Sequence, residues 1–425
     1  MRKNVNKIVA FAIGISIISG SIVPAFASDN VESTNNTTAN VQIQVNGKVL
    51  LTLDDAIKAA ISNSNTLALD EKKISYQDKV NDINEKIDDA KDADSDHKDY
   101  DEDINDNTLS QLKQQRDFDE DKLVQKTTTA YNNIVTSQMK IDKASKILEL
   151  KKKDISNAKL KKDLGIMTSI DFDSTELQIQ SLQNQQNLSI NTLRDAQDSF
   201  KVLTGKDVTK FTLEQDIKYE QLKIDGSIDE YLDNAIDKYL KYSSELLKLK
   251  KDYYDDKDNQ VSEEDVKKAE DKTNEAITKK PSKPANTDDL GAYMKYVDDM
   301  NQYNTNISAY TTTLSLRLAY LNSKLGVYTQ ETALEETKKT YKESLKTIYT
   351  NLLATEDNIN YLKSSIQINN RQLSTLKLKS DLGLMTKSDY DTQVANSQDL
   401  DIQLRTAIDS YNTLKEKIQK PWLAF

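Results

Sequence analysis

Leu160-Lys-Lys-Asp-Leu-Gly-Ile-Met-Thr168 occurs twice in this chain. Its second copy, Leu378-Lys-Ser-Asp-Leu-Gly-Leu-Met-Thr386, lies 218 residues further on with no gap. The same offset sets Thr129-Ala-Tyr-Asn-Asn-Ile134 on Thr347-Ile-Tyr-Thr-Asn-Leu352. Between these landmarks Ile134, Ile141, Leu148 and Ile155 fall on Leu352, Ile359, Ile366 and Leu373, each seven residues from the next. Apolar residues at that spacing mark a helix whose narrow seam faces other helices. The duplication therefore predicts two long helices that end at the same kind of turn.

The chemistry of the turn is local. Gly165 and Gly383 suit the left-handed position just past a helix end. Thr168 and Thr386 suit the N-cap of a returning helix, with Asp171 and Asp389 three residues on, as in a capping box. Each copy then reads as an antiparallel helical hairpin. Helix capping accounts for the glycines. It does not account for Ile166-Met167 and Leu384-Met385, apolar pairs at tips that should be wet, and such a tip points to a partner.

Breakers are scarce. There are 9 Gly and 4 Pro in 425 residues, and none of either between Lys48 and Leu164. With 30% charged and 37% hydrophobic residues, this describes long helices, and the fold class is predominantly all-α. At the start, Arg2, Lys3 and Lys7 precede an apolar run from Ile8 to Val23 and a small-x-small site, Ala25-Phe26-Ala27. Residues 1–27 therefore read as an export signal peptide, the run being short for a membrane anchor. Its removal takes away three basic and no acidic residues, so the remainder is more acidic than the −11 of the whole chain. That balance argues against nucleic acid and against electrostatic docking on anionic lipid. The absence of cysteine excludes disulfides and a lipid-modified cysteine. No later stretch is apolar enough to cross a bilayer as a helix.

Residues 28–40, rich in Ser, Thr and Asn, read as a flexible leader. A first repeat spans 41–205. It opens with Val41-Gln-Ile-Gln-Val45, Asn46-Gly47 and Lys48-Val-Leu-Leu51, a small β-hairpin signal. Thr52 then caps a short helix, and another runs from about Asn65 to Ile87. Residues 88–106 are dominated by aspartate and read as a solvated acidic turn. Asp92-x-Asp94-x-Asp96 has the spacing of a calcium loop. It has His97 where the loop glycine belongs and Asp103 where the bidentate glutamate belongs, so no metal site is expected. The first long helix is expected from about Thr108 to Asp163 and its partner from about Ser169 to Val202.

A second repeat spans 206–418. Phe211 to Ile224 is mixed, with room for one short strand, and Ser227-Ile-Asp-Glu-Tyr-Leu232 echoes Thr52-Leu-Asp-Asp-Ala-Ile57. The second repeat is longer by 43 residues, a charged insertion at 252–290. Its long helix is expected from about Asp288 to Leu382, with a weak point at Gly326, and its return helix to about Ile418. Residues 419–425 form a tail in which Trp422 reads as a packing residue.

Leu51-Thr-Leu-Asp-Asp-Ala-Ile57, Asn63-Ser-Asn65, Tyr131, the Leu164-Gly165-x-x-Thr168 turn and Leu203-Thr-Gly205 together carry a resemblance to the TolC-like outer-membrane efflux proteins. Tyr349 and Leu382-Gly383-x-x-Thr386 repeat it. The resemblance implies a homotrimer in which each chain gives two long antiparallel hairpins to a coiled-coil-like α-barrel. It implies a periplasmic-type adaptor docked on Leu164, Gly165, Ile166, Met167 and Thr168 and on Leu382, Gly383, Leu384, Met385 and Thr386. Behind the adaptor it implies an inner-membrane or ABC transporter. It also makes Asp171 and Asp389 candidates for a pore constriction, although helix N-terminal capping is the favoured account of both carboxylates. In the family two β-hairpin insertions per chain build a transmembrane barrel. Here their places, near 88–107 and 252–290, lack alternating apolar segments and are too densely charged to face lipid. The resemblance thus implies an atypical member without the barrel, for which direct membrane insertion is not expected.

One histidine, no cysteine and no phosphate loop leave nothing to assemble a nucleophile, metal or cofactor site, so no enzyme and no cofactor are expected. Two readings remain. One is an oligomeric duct for efflux or secretion; two hairpins are too few to enclose a tunnel, so it needs several chains. The other is an exported cell-envelope or extracellular coiled-coil protein that kept the fold without transport.

Overall fold

A computed structural model of the protein describes residues 44–45, 48–90, 95–285 and 289–425. The expected export signal, the expected leader 28–40, the expected Asn46-Gly47 turn and Asp92 and Asp94 lie outside the described residues. β1 (Gln44–Val45) pairs antiparallel with β2 (Lys48–Leu51), Val45 opposite Lys48. β3 (Phe211–Leu213) then adds parallel to β2, with Val49 opposite Phe211. Sequence spacing anticipated the hairpin and a short strand after Phe211. It did not anticipate that this strand, from the second repeat, would complete the sheet of the first.

The helices follow the duplicated order. The first repeat gives α1 (Leu53–Ser62), α2 (Asn65–Ala90), α3 (Ser95–Asp163) and α4 (Ser169–Thr204). The second gives α5 (Ile228–Tyr239), α6 (Lys241–Asp255), α7 (Glu263–Thr278), α8 (Leu290–Asp381) and α9 (Lys387–Gln419). Thr52 caps α1 as expected, its Oγ1 accepting the Asp55 N–H at 3.1 Å. Two hairpins, α3–α4 and α8–α9, make the fold a pair of tandem helical hairpins with a minor β element.

One expectation needs correction, and two further features fill in what the sequence left open. Among the described residues most of the acidic stretch is helix: α2 runs on to Ala90, and α3 begins at Ser95, thirteen residues before Thr108. With no Gly or Pro to stop them, both helices run into the stretch, and Lys98 reaches back to Asp89 at 2.9 Å. The charged insertion 252–290 holds helix too. α7 starts at a full capping box in which Ser262 and Asp265 satisfy each other's backbone N–H. Finally, α8 passes through Gly326 unbroken. A mid-helix glycine weakens a helix by about 1 kcal/mol, too little to interrupt one held by neighbours on both sides of it.

Contacts divide the described chain into two compact units. The first is formed by Ile74–Leu112 and Leu240–Lys339; the second by Lys113–Tyr239, Thr340–Phe425 and the described part of Asn36–Lys73. In the first, α3 lies between α2 and α6: Asn81 Nδ2 donates to the Asn105 carbonyl, and Asn107 Nδ2 to that of Tyr242, both at 3.1 Å. α6 in turn meets α8 through Lys251–Glu331 at 2.7 Å and Lys324–Asp255 at 3.1 Å. Tyr100 stacks on Tyr253, ring centroids 4.0 Å apart.

In the second unit α3 lies between α4 and α9. Gln186 Nε2 donates to Ser145 Oγ at 2.6 Å on one side, and Lys143 pairs with Asp399 at 2.5 Å on the other. The heptad seam is buried where it was expected. Ile134, Ile141 and Leu148 on α3, and Leu352 and Ile359 on α8, are all inside. Ile155, Ile366 and Leu373, nearer the turns, are half-buried. Ile134 and Ile141 share one core with Leu51, Ala56, Leu193 and Phe200, so the seam runs directly into the sheet. Trp422 is buried as a packing residue, stacked on Phe118 at 4.4 Å, with its indole N–H donating to Asp121 at 3.0 Å.

Candidate functional site: the paired hairpin tips

Both tips are built from the same backbone bonds. Gly165 has φ +73° and Gly383 φ +74°. The Gly165 N–H donates to the Lys162 carbonyl at 2.9 Å, and the Ile166 N–H to that of Lys161 at 2.8 Å. In the second copy Gly383 donates to Ser380 at 3.0 Å and Leu384 to Lys379 at 2.8 Å. This pair of bonds is the Schellman closure, which satisfies two orphan carbonyls of the ending helix. The next helix starts at once. Thr168 Oγ1 accepts the Asp171 N–H at 3.1 Å and donates to Asp171 Oδ2 at 2.7 Å. Thr386 and Asp389 repeat both distances.

With both ends capped by backbone and polar groups, no apolar side chain is needed inside the turn. Leu164 and Ile166 are 64% and 73% exposed; Leu382 and Leu384 are 65% and 75% exposed. Met167 and Met385 are half-buried against the stem. Thr168, Thr386, Asp171 and Asp389 are exposed, and both carboxylates hold the caps that the sequence suggested for them. The two hairpins are joined just behind the tips, where Ser388 Oγ donates to Asp154 Oδ1 at 2.9 Å. Two features escaped sequence reading. Ile170 adds a further large apolar side chain at 80% exposure. Lys162 and Lys387 also lie over the rings of Phe172 and Tyr390, at 4.5 and 4.9 Å from the centroids.

At the other end of the second unit the chain encloses a polar network that the repeat did not predict. The Tyr131 hydroxyl donates to the Leu51 carbonyl and accepts the Glu214 N–H, both at 2.7 Å. Burial pushes this hydroxyl up to about 12, so it stays a neutral donor. Beside it Arg405 donates to the Gln215 carbonyl and, at 2.9 Å, to Asn132 Oδ1. Asn132 Nδ2 then donates to Asp409 at 2.6 Å. A cleft of about 790 Å³ opens here, lined among others by Thr52, Asn132, Asp216, Asp409 and Glu416. Burial holds the Asp409 and Glu416 carboxyls above the usual carboxylate range. Lys218 and Lys415 also line this cleft, and among the described residues no cluster of His, Cys, Asp and Glu could hold a metal. Tyr131, one of the residues that carry the family resemblance, was the only sequence trace of this network.

The sequence matches no family model and no curated protein. Among solved structures, the outer-membrane channel OprN aligns with a TM-score of 0.52 at 10% identity, over 87% of this chain and 90% of that one. The Campylobacter jejuni CmeC outer membrane channel aligns over 93% of both chains, with 12% identity and a TM-score of 0.48. A membrane protein from Pseudomonas aeruginosa covers 87% of this chain and 90% of its own, with 11% identity and a TM-score of 0.49. The likeness to OprN defines the fold, which is TolC-like. The resemblance read from the duplicated motifs is met at that level.

Proposed function

We propose that this chain is one protomer of an oligomeric helical duct for efflux or secretion in a cell envelope. The observation that carries the reading is the duplicated tip. Two turns, 218 residues apart, present the same exposed apolar side chains on the same backbone scaffold. Exposed apolar groups on a rigid cap suit a docking surface. In this reading Leu164–Thr168 and Leu382–Thr386 seat a periplasmic-type adaptor, and an inner-membrane or ABC transporter drives the cargo. Asp171 and Asp389, exposed on the first turn behind each tip, set negative charge at that end of the duct and narrow it.

The fold shared with an outer-membrane channel supports the duct over catalysis, and the protein acts as a conduit rather than an enzyme. The two repeats, 41–205 and 206–418, supply two hairpins per chain, so a closed tube calls for about three copies. The places expected for barrel insertions hold α2, α3, α6, α7 and α8 among the described residues, with strands confined to β1, β2 and β3. No helix of the described residues is long and apolar enough to cross a membrane. The duct therefore stands in the envelope after export without inserting a barrel of its own. Light scattering on residues 28–425, with and without liposomes, tests this. A reversible oligomer of about three copies that ignores liposomes is expected; a chain that stays monomeric at high concentration ends the duct reading.

A further inference from the structure

In the first compact unit α8 carries an apolar stripe separate from the Leu352–Ile359 seam. Leu314, Leu318, Leu321, Leu325 and Tyr328 follow one another at alternating steps of four and three residues. All five are exposed, from 41% at Leu314 to 64% at Leu325. The same phase continues upstream through Ile307, Asn304 and Met300 to Val297, Tyr293 and Leu290, the last three again exposed. A heptad repeat sustained over more than five turns-of-two is the signature of a coiled-coil seam. Yet the chain packs α8 by its other side. Tyr320 and Val327 are buried there, Arg317 donates to the Val261 carbonyl at 2.6 Å, and Lys324 pairs with Asp255.

We propose that this stripe, from Leu290 to Tyr328, is the seam of a parallel, in-register coiled coil with α8 of a second copy of this chain. Charge favours a like partner. From Asn301 to Gln330 the only charged residues are Arg317 and Lys324, both engaged within the unit, although 30% of the whole chain is charged. Two such faces therefore meet without like-charge repulsion. Register has a determinant as well. Asn304 occupies a first heptad position and, in a parallel in-register pair, meets its own copy and satisfies its amide; a shift by one heptad sets it against Val297 or Thr311. Area is sufficient. The eight exposed large side chains present on the order of 800 Å², one partner's share of a standard interface.

The chain has no cysteine, so single cysteines report on the pairing directly. In residues 28–425, Leu318→Cys puts a thiol at the seam, while Thr312→Cys puts one on the exposed outer flank. Under mild oxidation the pairing expects a covalent dimer from Leu318→Cys, formed at least about tenfold faster than from Thr312→Cys. Equal rates, or no dimer, overturn it. Leu318→Asp with Leu325→Asp, both exposed within the protomer and so compatible with folding, should abolish association through this face; an unchanged mass by light scattering overturns it. So does binding of a monomeric parent chain to phosphatidylcholine–phosphatidylglycerol vesicles that the double aspartate variant loses. The pairing is a contact separate from the duct, so a chain that makes both assembles beyond three copies. A parent that assembles without the Leu318→Cys cross-link removes the pairing alone, and one that cross-links there but never exceeds two copies removes the duct alone.

Discussion

The two repeats agree closely at their tips and disagree at their roots. At the tips every cap is duplicated, glycine for glycine and threonine for threonine, with Schellman and N-cap bonds that match to 0.1 Å. At the roots Tyr131 is buried and bonded at both ends of its hydroxyl, while its partner by sequence, Tyr349, is half-exposed. The second repeat finds a different tyrosine for the task. Tyr411, on the return helix, accepts the Leu222 N–H at 2.9 Å where the first repeat has the apolar Leu193. Local chemistry survives duplication because a cap needs only neighbours in sequence. A buried polar bond needs a distant partner, and the second repeat meets different ones.

Arg405 tests that contrast most severely. Its sequence partner at the 218-residue offset is Asn187, which is exposed. Arg405→Met should destabilise by about 3 kcal/mol, because the Gln215 carbonyl and the buried Asn132 both lose a charge-assisted hydrogen bond. Asn187→Met should stay within about 0.5 kcal/mol. Chemical denaturation of both variants measures the difference, and equal effects would dissolve the asymmetry. Tyr131→Phe comes next. It orphans the Leu51 carbonyl and the Glu214 N–H and should cost about 1–3 kcal/mol, while Tyr349→Phe should be close to neutral.

Symmetry is the expectation at the tips. Gly165→Ala and Gly383→Ala meet no atom within 4 Å, so only the positive φ resists them. Each should cost about 1–2 kcal/mol, equal between copies to a few tenths. Unequal costs would show that one tip is held by more than its own turn. Smaller still is the pH effect of the root carboxyls. Burial raises the folded values of Asp409 and Glu416 above those of the unfolded chain. The native state therefore holds more protons as pH rises from about 4, and stability falls through that interval up to the folded values. Glu416→Gln should flatten this decline in a denaturation series against pH; a steeper decline would contradict the assigned direction.

Much of the architecture was legible because it rests on short-range spacing. The seven-residue seam, the Gly–Thr–Asp caps and the Thr52 N-cap each lie within one or two helical turns, where backbone geometry alone dictates which side chains meet. The same reasoning failed at residues 95–106, where charge density suggested a turn. Aspartate is a poor helix former, but nothing there breaks a helix, and the packed neighbours α2 and α6 keep it wound.

The amino-acid sequence alone determined that the tip motif occurs twice, that each copy closes a capped helical hairpin, and which seam those hairpins bury. Tertiary structure alone decided that β3 joins the hairpin of the other repeat and that Arg405, Asn132 and Asp409 meet. It also decided which of two tyrosines is buried and which heptad face of α8 is left bare. Periodicity says that a helix has an apolar face, but only the placement of its neighbours says whether that face is covered.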